Sequence, residues 1–451
     1  MEKKKQIDCF LPYNTVAMMQ SLATQLYESG VVKNIYTLAA DVLPTEALPQ
    51  YVRQLQTGGL LSLATMRLIA TTATADYALL YLKQGPVTLG YHALERMLQV
   101  AEETGAAMVY ADHYSVEAGK TVKHPVTAYQ LGSIRDDFDF GSVVLLKTEC
   151  LKEYAAREVA KDYQFAGWYD LRLFLSRKGE LFHLNEYLYT EEEDDLRASG
   201  EKQFDYVNPR NREVQIEMEQ AATAHLSAIK ALVDTTQYVQ PDFSGETFPV
   251  EASVVIPVFN REKTVRDAVI SALSQKTDFP FNVIVVDNHS TDGTTEILSS
   301  LAADERLVHL IPTRTDLCIG GCWNYAINDA HCGRFAVQLD SDDLYSSENT
   351  LQAIVNAFHE QKAAMIVGSY RMCDFDLNTL PPGLISHNEW TEDNGCNNAL
   401  RINGLGAPRA FFTPLVRQHQ FPNTSYGEDY AMGLAFSRRF RIGRIYDELY
   451  L

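Results

Sequence analysis

Three carboxylates stand within four residues in the segment Asp340-Ser341-Asp342-Asp343. The segment directly follows an apolar run, 335–339, of the kind that forms a short buried strand. Carboxylates this close repel one another unless a cation lies between them. Oxygen ligands suit Mg²⁺ or Mn²⁺, which bind one or two protein carboxylates and take their other ligands from phosphate and water. The cluster therefore predicts a divalent metal site; the alternative is an acidic turn before the next helix.

A second pair of acids, Glu428 and Asp429, stands at the start of a predicted helix that runs to Phe436. Acids in the first turn of a helix can simply complement the helix dipole. A site that holds a metal-bound diphosphate also needs a carboxylate that accepts the proton of an incoming hydroxyl. Asp429 is therefore the candidate general base, with Glu428 beside it as a second catalytic candidate.

The elements that would position these acids are a series of short strands. The apolar runs 253–256 and 283–286 are separated by a helical pattern and end close to Asn260 and Asp287. Continuous apolar runs are typical of parallel strands covered on both faces, and the spacing suits a right-handed crossover. Ligands of such sheets bind beyond the carboxyl ends of the strands. Polar residues at these ends are therefore candidates for a binding site.

The C-terminal half, from Val254 to Leu451, resembles a family 2, A-type glycosyltransferase domain. Five motifs carry the resemblance in order: IPVFNRE at 256–262, VVDNHSTDGT at 285–294, GGCWNYAINDAHCGRF at 320–335, LDSDD at 339–343 and GEDY at 427–430. The resemblance implies a nucleotide-sugar donor, a divalent metal (Mn²⁺ or Mg²⁺) and inverting transfer of the sugar to an acceptor hydroxyl. The acceptor would be a glycan or a lipid-linked molecule, as in polysaccharide biosynthesis.

The resemblance also implies roles for single residues. Asp287 and Asn288 would reach the base, Asp340 would face the ribose or the metal, and Asp342 would bind the metal on the diphosphate. The positions that match the family's nucleotide-sugar site are Pro257, Phe259, Asn260, Glu262, Asp287, Asn288, Gly321, Asn324, Asp340 and Ser341.

Two departures from the family pattern bear on the substrates. The family usually has a second acid where this chain has Asn288. An amide can still donate and accept hydrogen bonds at a pyrimidine edge, but it indicates uracil less strongly than the usual acid does. The expected donor is a UDP-sugar, with GDP- and dTDP-sugars as alternatives. Family members commonly continue past the strand that ends near Tyr450, which leaves open whether the chain is truncated on its acceptor side.

The N-terminal half repeats the pattern of the C-terminal half. One constant offset aligns Leu94 with Leu351 and 106–109 with 363–366. The predicted fold class is therefore α/β, with two tandem nucleotide-diphospho-sugar transferase-like (Rossmann-like, A-type glycosyltransferase) domains joined by a helical linker. The predicted ranges are 1–195 for the first module, 196–250 for the linker and 251–451 for the catalytic domain.

The first module lacks the acids of the second. The constant offset places Lys83 at the position of Asp340 and Gly85 at that of Asp342. Trp168 likewise stands in the place of Asp429. A lysine at a metal position opposes cation binding, so the first module is predicted to be degenerate and non-catalytic.

Two other functions stay open. The chain would be bifunctional if Asp112 and Asp170 formed a second, metal-independent active site in the first module. It would be a catalytically idle nucleotide-sugar-binding subunit if the chemistry were done by another protein. The retained Asp340, Asp342 and Asp429 favour an active transferase.

Charge and composition exclude several classes of protein. With 39 basic and 59 acidic residues and a net charge of −20, the chain is not expected to bind nucleic acid. No apolar segment has the length of a signal peptide core or of a transmembrane segment. The odd number of cysteines, seven, fits a reducing compartment. A cytoplasmic protein is predicted, and a homodimer is left open.

Overall fold

The computed structural model describes residues 6–43, 48–117, 119–159, 161–192, 212–388, 390, 395–402 and 404–451. The chain divides into two compact units. The N-terminal unit comprises Met1–Gly200 with Glu213–Leu232, and the C-terminal unit comprises Glu201–Arg212 with Val233–Leu451. The predicted boundary between 195 and 196 lies outside the described residues. Within them, no helix has the length and apolar character needed to cross a membrane.

The N-terminal unit alternates strands and helices. Its elements are β1 (Ile7–Pro12), α1 (Val16–Glu28), β2 (Val32–Ala39), β3 (Val52–Gln56), α2 (Leu63–Thr72), β4 (Tyr77–Tyr81), β5 (Val87–Leu89), α3 (Ala93–Thr104), β6 (Met108–Glu117), β7 (Lys120–His124), β8 (Val143–Lys147), α4 (Thr148–Ala156), α5 (Gly167–Leu175), β9 (Leu181–Glu192) and α6 (Arg212–Ala228). Helix α6 is held by Glu217, whose carboxylate accepts hydrogen bonds from the N–H groups of Gln164, Phe165 and Ala166.

The C-terminal unit has the same alternation. Its elements are β10 (Ala252–Val258), α7 (Val265–Leu273), β11 (Phe281–Asp287), α8 (Thr294–Leu301), β12 (Leu307–Leu310), α9 (Ile319–Ile327), β13 (Phe335–Gln338), α10 (Thr350–Gln361), β14 (Met365–Cys373), β15 (Thr379–Ile385), α11 (Gly395–Asn398), β16 (Arg409–Phe412), α12 (Thr413–His419), α13 (Glu428–Ser437) and β17 (Ile442–Tyr450). Strands β10 and β11 are buried over nearly their whole length, which explains their apolar, non-alternating sequences.

The two sheets share one strand order. The C-terminal sheet runs β12-β11-β10-β13-β16-β14-β15, with β17 beside β14, and the N-terminal sheet runs β3-β2-β1-β4-β8-β6-β9-β5, with β7 beside β6. In each sheet one antiparallel strand, β16 or β8, lies between strands that are parallel to each other. The prediction of an α/β fold used twice in tandem is therefore confirmed.

Strand register corrects the predicted alignment by one residue. Counting across the ladders β6–β8–β4 and β14–β16–β13 from the aligned pair Met108 and Met365 makes Ala78 the counterpart of Ala336. The N-terminal unit has one more residue between this strand and the next helix. The constant offset, which is correct for the helices, was therefore extended wrongly through that connection.

The residues of the N-terminal unit that correspond to Asp340 and Asp342 are therefore not the ones that were predicted. Leu82, not Lys83, stands in the place of Asp340, and Gln84, not Gly85, stands in the place of Asp342. Neither side chain carries a charge. The N-terminal unit therefore lacks the pair of acids, as predicted, although the residues named for it were wrong.

Lys83 has a different part in the N-terminal unit, where it forms an ion pair with the buried Glu191. The same carboxylate contacts the hydroxyl of Ser142 and, at 3.2 Å, Nε2 of His113. Burial raises the pKa of Glu191, but hydrogen bonds from His113, Lys83 and Ser142 outweigh it and lower the pKa to about 2. Lys83, His113 and Ser142 thus bind the buried carboxylate of Glu191 in the N-terminal sheet.

Replacing Lys83 with Met is expected to lower the free energy of unfolding at pH 7 by about 1–3 kcal/mol, because Glu191 keeps its charge but loses a partner. Since folding lowers the pKa of Glu191, its contribution is present above the pKa of the unfolded chain and disappears as the pH falls towards 2. The difference between variant and parent should therefore shrink in acid. Urea unfolding at pH 7 and at pH 3 measures it.

The control is Lys152→Met, which removes an exposed lysine of α4 and should change stability little. Equal stability of Lys83→Met and the parent at pH 7 would show that the ion pair contributes nothing.

Candidate active site

The acidic segment lies directly after β13, at the carboxyl edge of the C-terminal sheet. Both carboxylate oxygens of Asp340 accept hydrogen bonds from Nε2 of Gln338 at 3.0 Å, and the Asp340 N–H donates to the hydroxyl of Tyr450 at 2.7 Å. The side chain of Asp342 is 39% exposed and lies 3.4 Å from Nε of Arg261. Asp340 is thus fixed by hydrogen bonds with Gln338 and Tyr450, while the side chain of Asp342 is partly exposed to solvent.

Burial and neighbouring negative charges raise the pKa values of Asp340 and Asp343. Burial raises the pKa of Asp340, and the charge of Asp342 adds to this effect. Burial, followed by the charges of Asp340 and Asp342, raises the pKa of Asp343 to about 7. Negative charge is therefore in excess here, as it would be at a site that receives a cation.

The donor set fits a divalent metal of the Mg²⁺ or Mn²⁺ type. Such ions need only one or two carboxylates, here those of Asp342 and Asp340, when phosphate and water complete the coordination. Within the described ranges, no group of three or more His, Cys, Asp or Glu side chains is arranged to hold a metal by itself. Asp340 and Asp342 would thus supply only part of a coordination sphere.

Glu428 and Asp429 open helix α13 after Gly427, whose φ of 79° allows the sharp turn into the helix. Glu428 is 8% exposed, and its Oε2 has no hydrogen-bond partner among the described residues. Burial, with the charge of Asp429, raises the pKa of Glu428. Asp429 is more exposed, at 31% for its side chain, and its Oδ2 lies 2.5 Å from Nη2 of Arg409.

A polar network joins the two groups of acids. Oε1 of Gln338 accepts hydrogen bonds from the backbone N–H and Nη1 of Arg409, at 3.1 and 2.9 Å. Gln338 also contacts Asp340, and Arg409 also contacts Asp429. These four side chains therefore connect the carboxyl end of β13 with the start of α13. Sequence reasoning missed Gln338 and Arg409, although a glutamine within the apolar run 335–339 was a visible signal.

The loop after β10 is tied to the loop after β11. Asn260 has a φ of 53°, its N–H donates to Oγ of Ser290 at 3.0 Å, and its Oδ1 accepts from the N–H of Thr291 at 2.7 Å. Glu262 accepts from the N–H of Gly293 at 3.2 Å. Asn260 and Glu262, two of the positions predicted to bind the nucleotide sugar, thus connect the two loops.

Asp287 and Asn288, at the end of β11, have different contacts. Asp287 is fully buried and accepts hydrogen bonds from the N–H of Ser290 at 3.0 Å and from Oγ1 of Thr295 at 2.6 Å. These two hydrogen bonds hold the loop that follows β11, and the contact of Asp287 with a base stays a prediction. Asn288 donates from Nδ2 to the carbonyl of Leu317 at 2.8 Å, and its Oδ1 has no partner within the described residues.

Four other predicted positions lie on β10, on α9 and beside the acids. Pro257 is partly buried within β10, and Phe259, just beyond it, is 54% exposed. A Cβ at Gly321 would lie 2.3 Å from Oδ1 of Asn423, so only glycine fits there. Ser341 is buried, and its carbonyl accepts a hydrogen bond from Thr264.

The side chain of Asn324 is hydrogen-bonded to Phe421. Its Oδ1 accepts from the N–H of Phe421 and its Nδ2 donates to the carbonyl of the same residue, both at 2.8 Å. Both ends of the carboxamide thus bind the chain, and the predicted place of Asn324 beside the donor stays a prediction.

The acids predicted for a second site in the N-terminal unit are both engaged internally. Asp112 is 1% exposed and contacts the N–H of Val126 at 2.9 Å and Nε2 of His183 at 2.8 Å. Asp170 is 5% exposed, accepts from the hydroxyl of Tyr154 at 2.8 Å and forms an ion pair with Arg157. Their geometry is that of structural carboxylates.

Known proteins resemble parts of this chain. The family model "Glycosyl transferase family 2" matches residues 253–414. The putative teichuronic acid biosynthesis glycosyltransferase TuaG of Bacillus subtilis is 26% identical over 188 residues, covering 42% of this chain and 72% of TuaG. The O-antigen chain rhamnosyltransferase WbaN of Salmonella anatum is 25% identical over 140 residues, covering 31% of this chain and 43% of WbaN. An uncharacterized glycosyltransferase of Haemophilus influenzae is 27% identical over 128 residues, covering 28% of this chain and 50% of the relative, so the chain spans about half of that protein's length.

Solved structures also share partial similarity with the chain. Residues 1–349 of TarS from S. aureus match with 24% identity and a TM-score of 0.36, covering 44% of this chain and 59% of TarS 1–349. The mannosyltransferase PcManGT from Pyrobaculum calidifontis, solved with GDP-Man and Mn²⁺, matches with 20% identity and a TM-score of 0.33. The match covers 53% of this chain and 66% of PcManGT. On the match of the family model, residues 253–414 of this chain are similar to the glycosyl transferase family 2 domain.

Proposed function

We propose that this chain is an inverting, metal-dependent glycosyltransferase that moves a sugar from a nucleotide-diphosphate sugar to a hydroxyl of a glycan or lipid-linked acceptor. The observation that carries the proposal is the network in which Gln338 and Arg409 connect Asp340 with Asp429. The family match of residues 253–414 supports it. The names of TuaG and WbaN, which concern teichuronic acid and O-antigen, support a role in polysaccharide biosynthesis.

The chemistry assigns one task to each group of acids. Asp429 accepts the proton of the acceptor hydroxyl as its oxygen attacks the anomeric carbon from the face opposite the nucleotide. The bond from that carbon to the diphosphate breaks through an oxocarbenium-like state, and the configuration inverts. A divalent metal held by Asp342 and Asp340 would supply positive charge against the leaving diphosphate.

The nucleoside end is assigned to the loops after β10 and β11. Oδ1 of Asn288 is a buried acceptor that an N–H of a base can satisfy. The exposed ring of Phe259 offers a face on which a base can stack. Uracil, thymine and guanine each present a suitable N–H, so we propose a UDP-sugar first, with dTDP- and GDP-sugars as alternatives.

The two units have unequal parts in this proposal. The C-terminal unit carries the reaction, and the N-terminal unit, with Leu82, Gln84 and Trp168 at the equivalent positions, is non-catalytic. The cysteines, all seven of which lie within the described residues, are free thiols. This agrees with the cytoplasmic location that we propose for an enzyme using nucleotide sugars.

A screen of nucleotide sugars tests the proposal. The full chain is heated with UDP-, GDP- and dTDP-sugars, each with and without Mn²⁺, and release of the nucleoside diphosphate is followed in parallel. We expect one nucleotide class to raise the melting temperature in the presence of Mn²⁺ and to be hydrolysed slowly. No binding by any class would refute the proposal, and binding without turnover in the presence of glycan acceptors would favour the nucleotide-sugar-binding subunit.

A further inference from the structure

We propose that Arg409, held by Gln338, is a positioning residue that orients the carboxylate of Asp429 for proton transfer. This rests on the proposed function. The side chain of Arg409 is 13% exposed, and each of its three guanidinium nitrogens has a polar partner. Nη2 contacts Asp429 at 2.5 Å, Nη1 contacts Gln338 at 2.9 Å, and Nε donates to the carbonyl of Leu405 at 2.5 Å.

The geometry fixes one oxygen of Asp429 and leaves the other available for the acceptor. Oδ2 is bound to Arg409, and Oδ1 accepts from the N–H of Tyr430 at 2.7 Å. A carboxylate oxygen can accept more than one hydrogen bond, so Oδ1 keeps capacity for an acceptor hydroxyl. A planar guanidinium that is itself fixed at three points limits the rotation of the carboxylate it holds.

Arg409 is also the cation that the surrounding acids share. Its charge lowers the pKa of Asp340 and of Glu428, in each case against the larger, opposite effect of burial. Asp429 lies in the same acidic surroundings, because its charge acts on Glu428. The guanidinium therefore offsets the repulsion that would otherwise turn the carboxylate of Asp429 away from its neighbours.

The N-terminal unit shows that the fold does not require this pair. By the same register count, Leu80 and Val144 are the counterparts of Gln338 and Arg409, and they lie opposite each other across β4 and β8. Both are buried, at 2% and 0% exposure. Placing a guanidinium at a buried position costs desolvation energy that an apolar pair avoids. The unit that keeps the acids keeps the polar pair, and the unit without them has an apolar one.

This comparison supplies a variant that should fold. The double substitution Gln338→Leu with Arg409→Val copies the N-terminal pair into the C-terminal sheet. We expect the kcat of the double variant to fall about 10- to 100-fold. Arg409→Ala, which leaves Gln338 bound to Asp340, should show the same fall in kcat and keep its affinity for UDP with Mn²⁺, or for whichever nucleoside diphosphate the screen identifies, within about threefold of the parent. Arg409→Lys should recover part of the rate. Guanidinium chloride at millimolar concentration should partly restore Arg409→Ala but not Asp429→Asn.

Arg334→Ala is the matched control. Arg334 is also mostly buried and ion-paired, with Glu251 at 3.0 Å, but it precedes β13 at the opposite edge of the sheet. We expect this variant to be less stable with kcat unchanged. The proposal is overturned if the double variant keeps the kcat of the parent, if only KM or nucleotide affinity changes, or if Arg334→Ala loses kcat equally. A parent that binds no nucleotide sugar refutes the proposed function itself.

Discussion

Replacing Asp429 with Asn should reduce the rate of sugar transfer by about 10²- to 10⁴-fold, the usual contribution of a general base. The amide has nearly the same shape as the carboxylate but cannot take up the proton of the acceptor hydroxyl. Because the Asp429 side chain is 31% exposed, we expect the variant to fold as the parent does. Nucleotide binding should also persist, since the donor-side acids follow β13 rather than α13.

The measurement is kcat at saturating donor and acceptor, with binding of the nucleoside diphosphate followed by calorimetry. Asp447→Asn, which alters an exposed acid on β17, is the control and should change neither value. Glu428→Gln tests the neighbouring acid. If Glu428→Gln abolishes transfer while Asp429→Asn remains active, the general base has been assigned to the wrong residue of the pair.

Replacing Asp342 with Ala should remove the metal dependence of donor binding. The carboxylate of Asp342 is the most accessible of its segment, and Arg261 is its ion-pair partner. Without it, the cation keeps at most the oxygens of Asp340, so we expect affinity for the nucleoside diphosphate in Mn²⁺ to fall by at least about 10- to 100-fold. Affinity without metal should not fall, because the removed charge repels the diphosphate.

Melting temperatures across a titration of Mn²⁺ at fixed UDP measure this effect. Asp376→Ala, in the exposed turn between β14 and β15, serves as the control for loss of one negative charge. A response to Mn²⁺ equal to that of the parent would exclude Asp342 as a metal ligand.

The fold could be predicted well from the sequence because its signals are local. The continuous apolar runs at 253–256 and 283–286 define β10 and β11, and their polar ends do meet at one edge of the sheet. The repeat of the fold was visible for the same reason. Its register was not, since a single additional residue between β4 and α3 leaves no local trace.

The side chains of the site were harder to predict than its strands. Asp287 stands where a ligand contact is expected, but its carboxylate binds Ser290 and Thr295 only because the following loop folds back over it. The Gln338–Arg409 pair depends on the insertion of the antiparallel strand β16 between β13 and β14, and the two residues are 71 positions apart in the sequence. No pattern near either residue indicates such a partner.

The duplicated sheet also shows how stability is distributed in this chain. In the N-terminal unit the edge of the sheet is satisfied internally, with an apolar pair at Leu80 and Val144 and an ion pair at Lys83 and Glu191. In the C-terminal unit the same edge keeps carboxylates that repel one another and a buried oxygen of Glu428 that has no hydrogen-bond partner in the described part of the chain. Proteins commonly trade stability for activity in this way. We therefore expect ligand binding to stabilise the C-terminal unit more than the N-terminal unit.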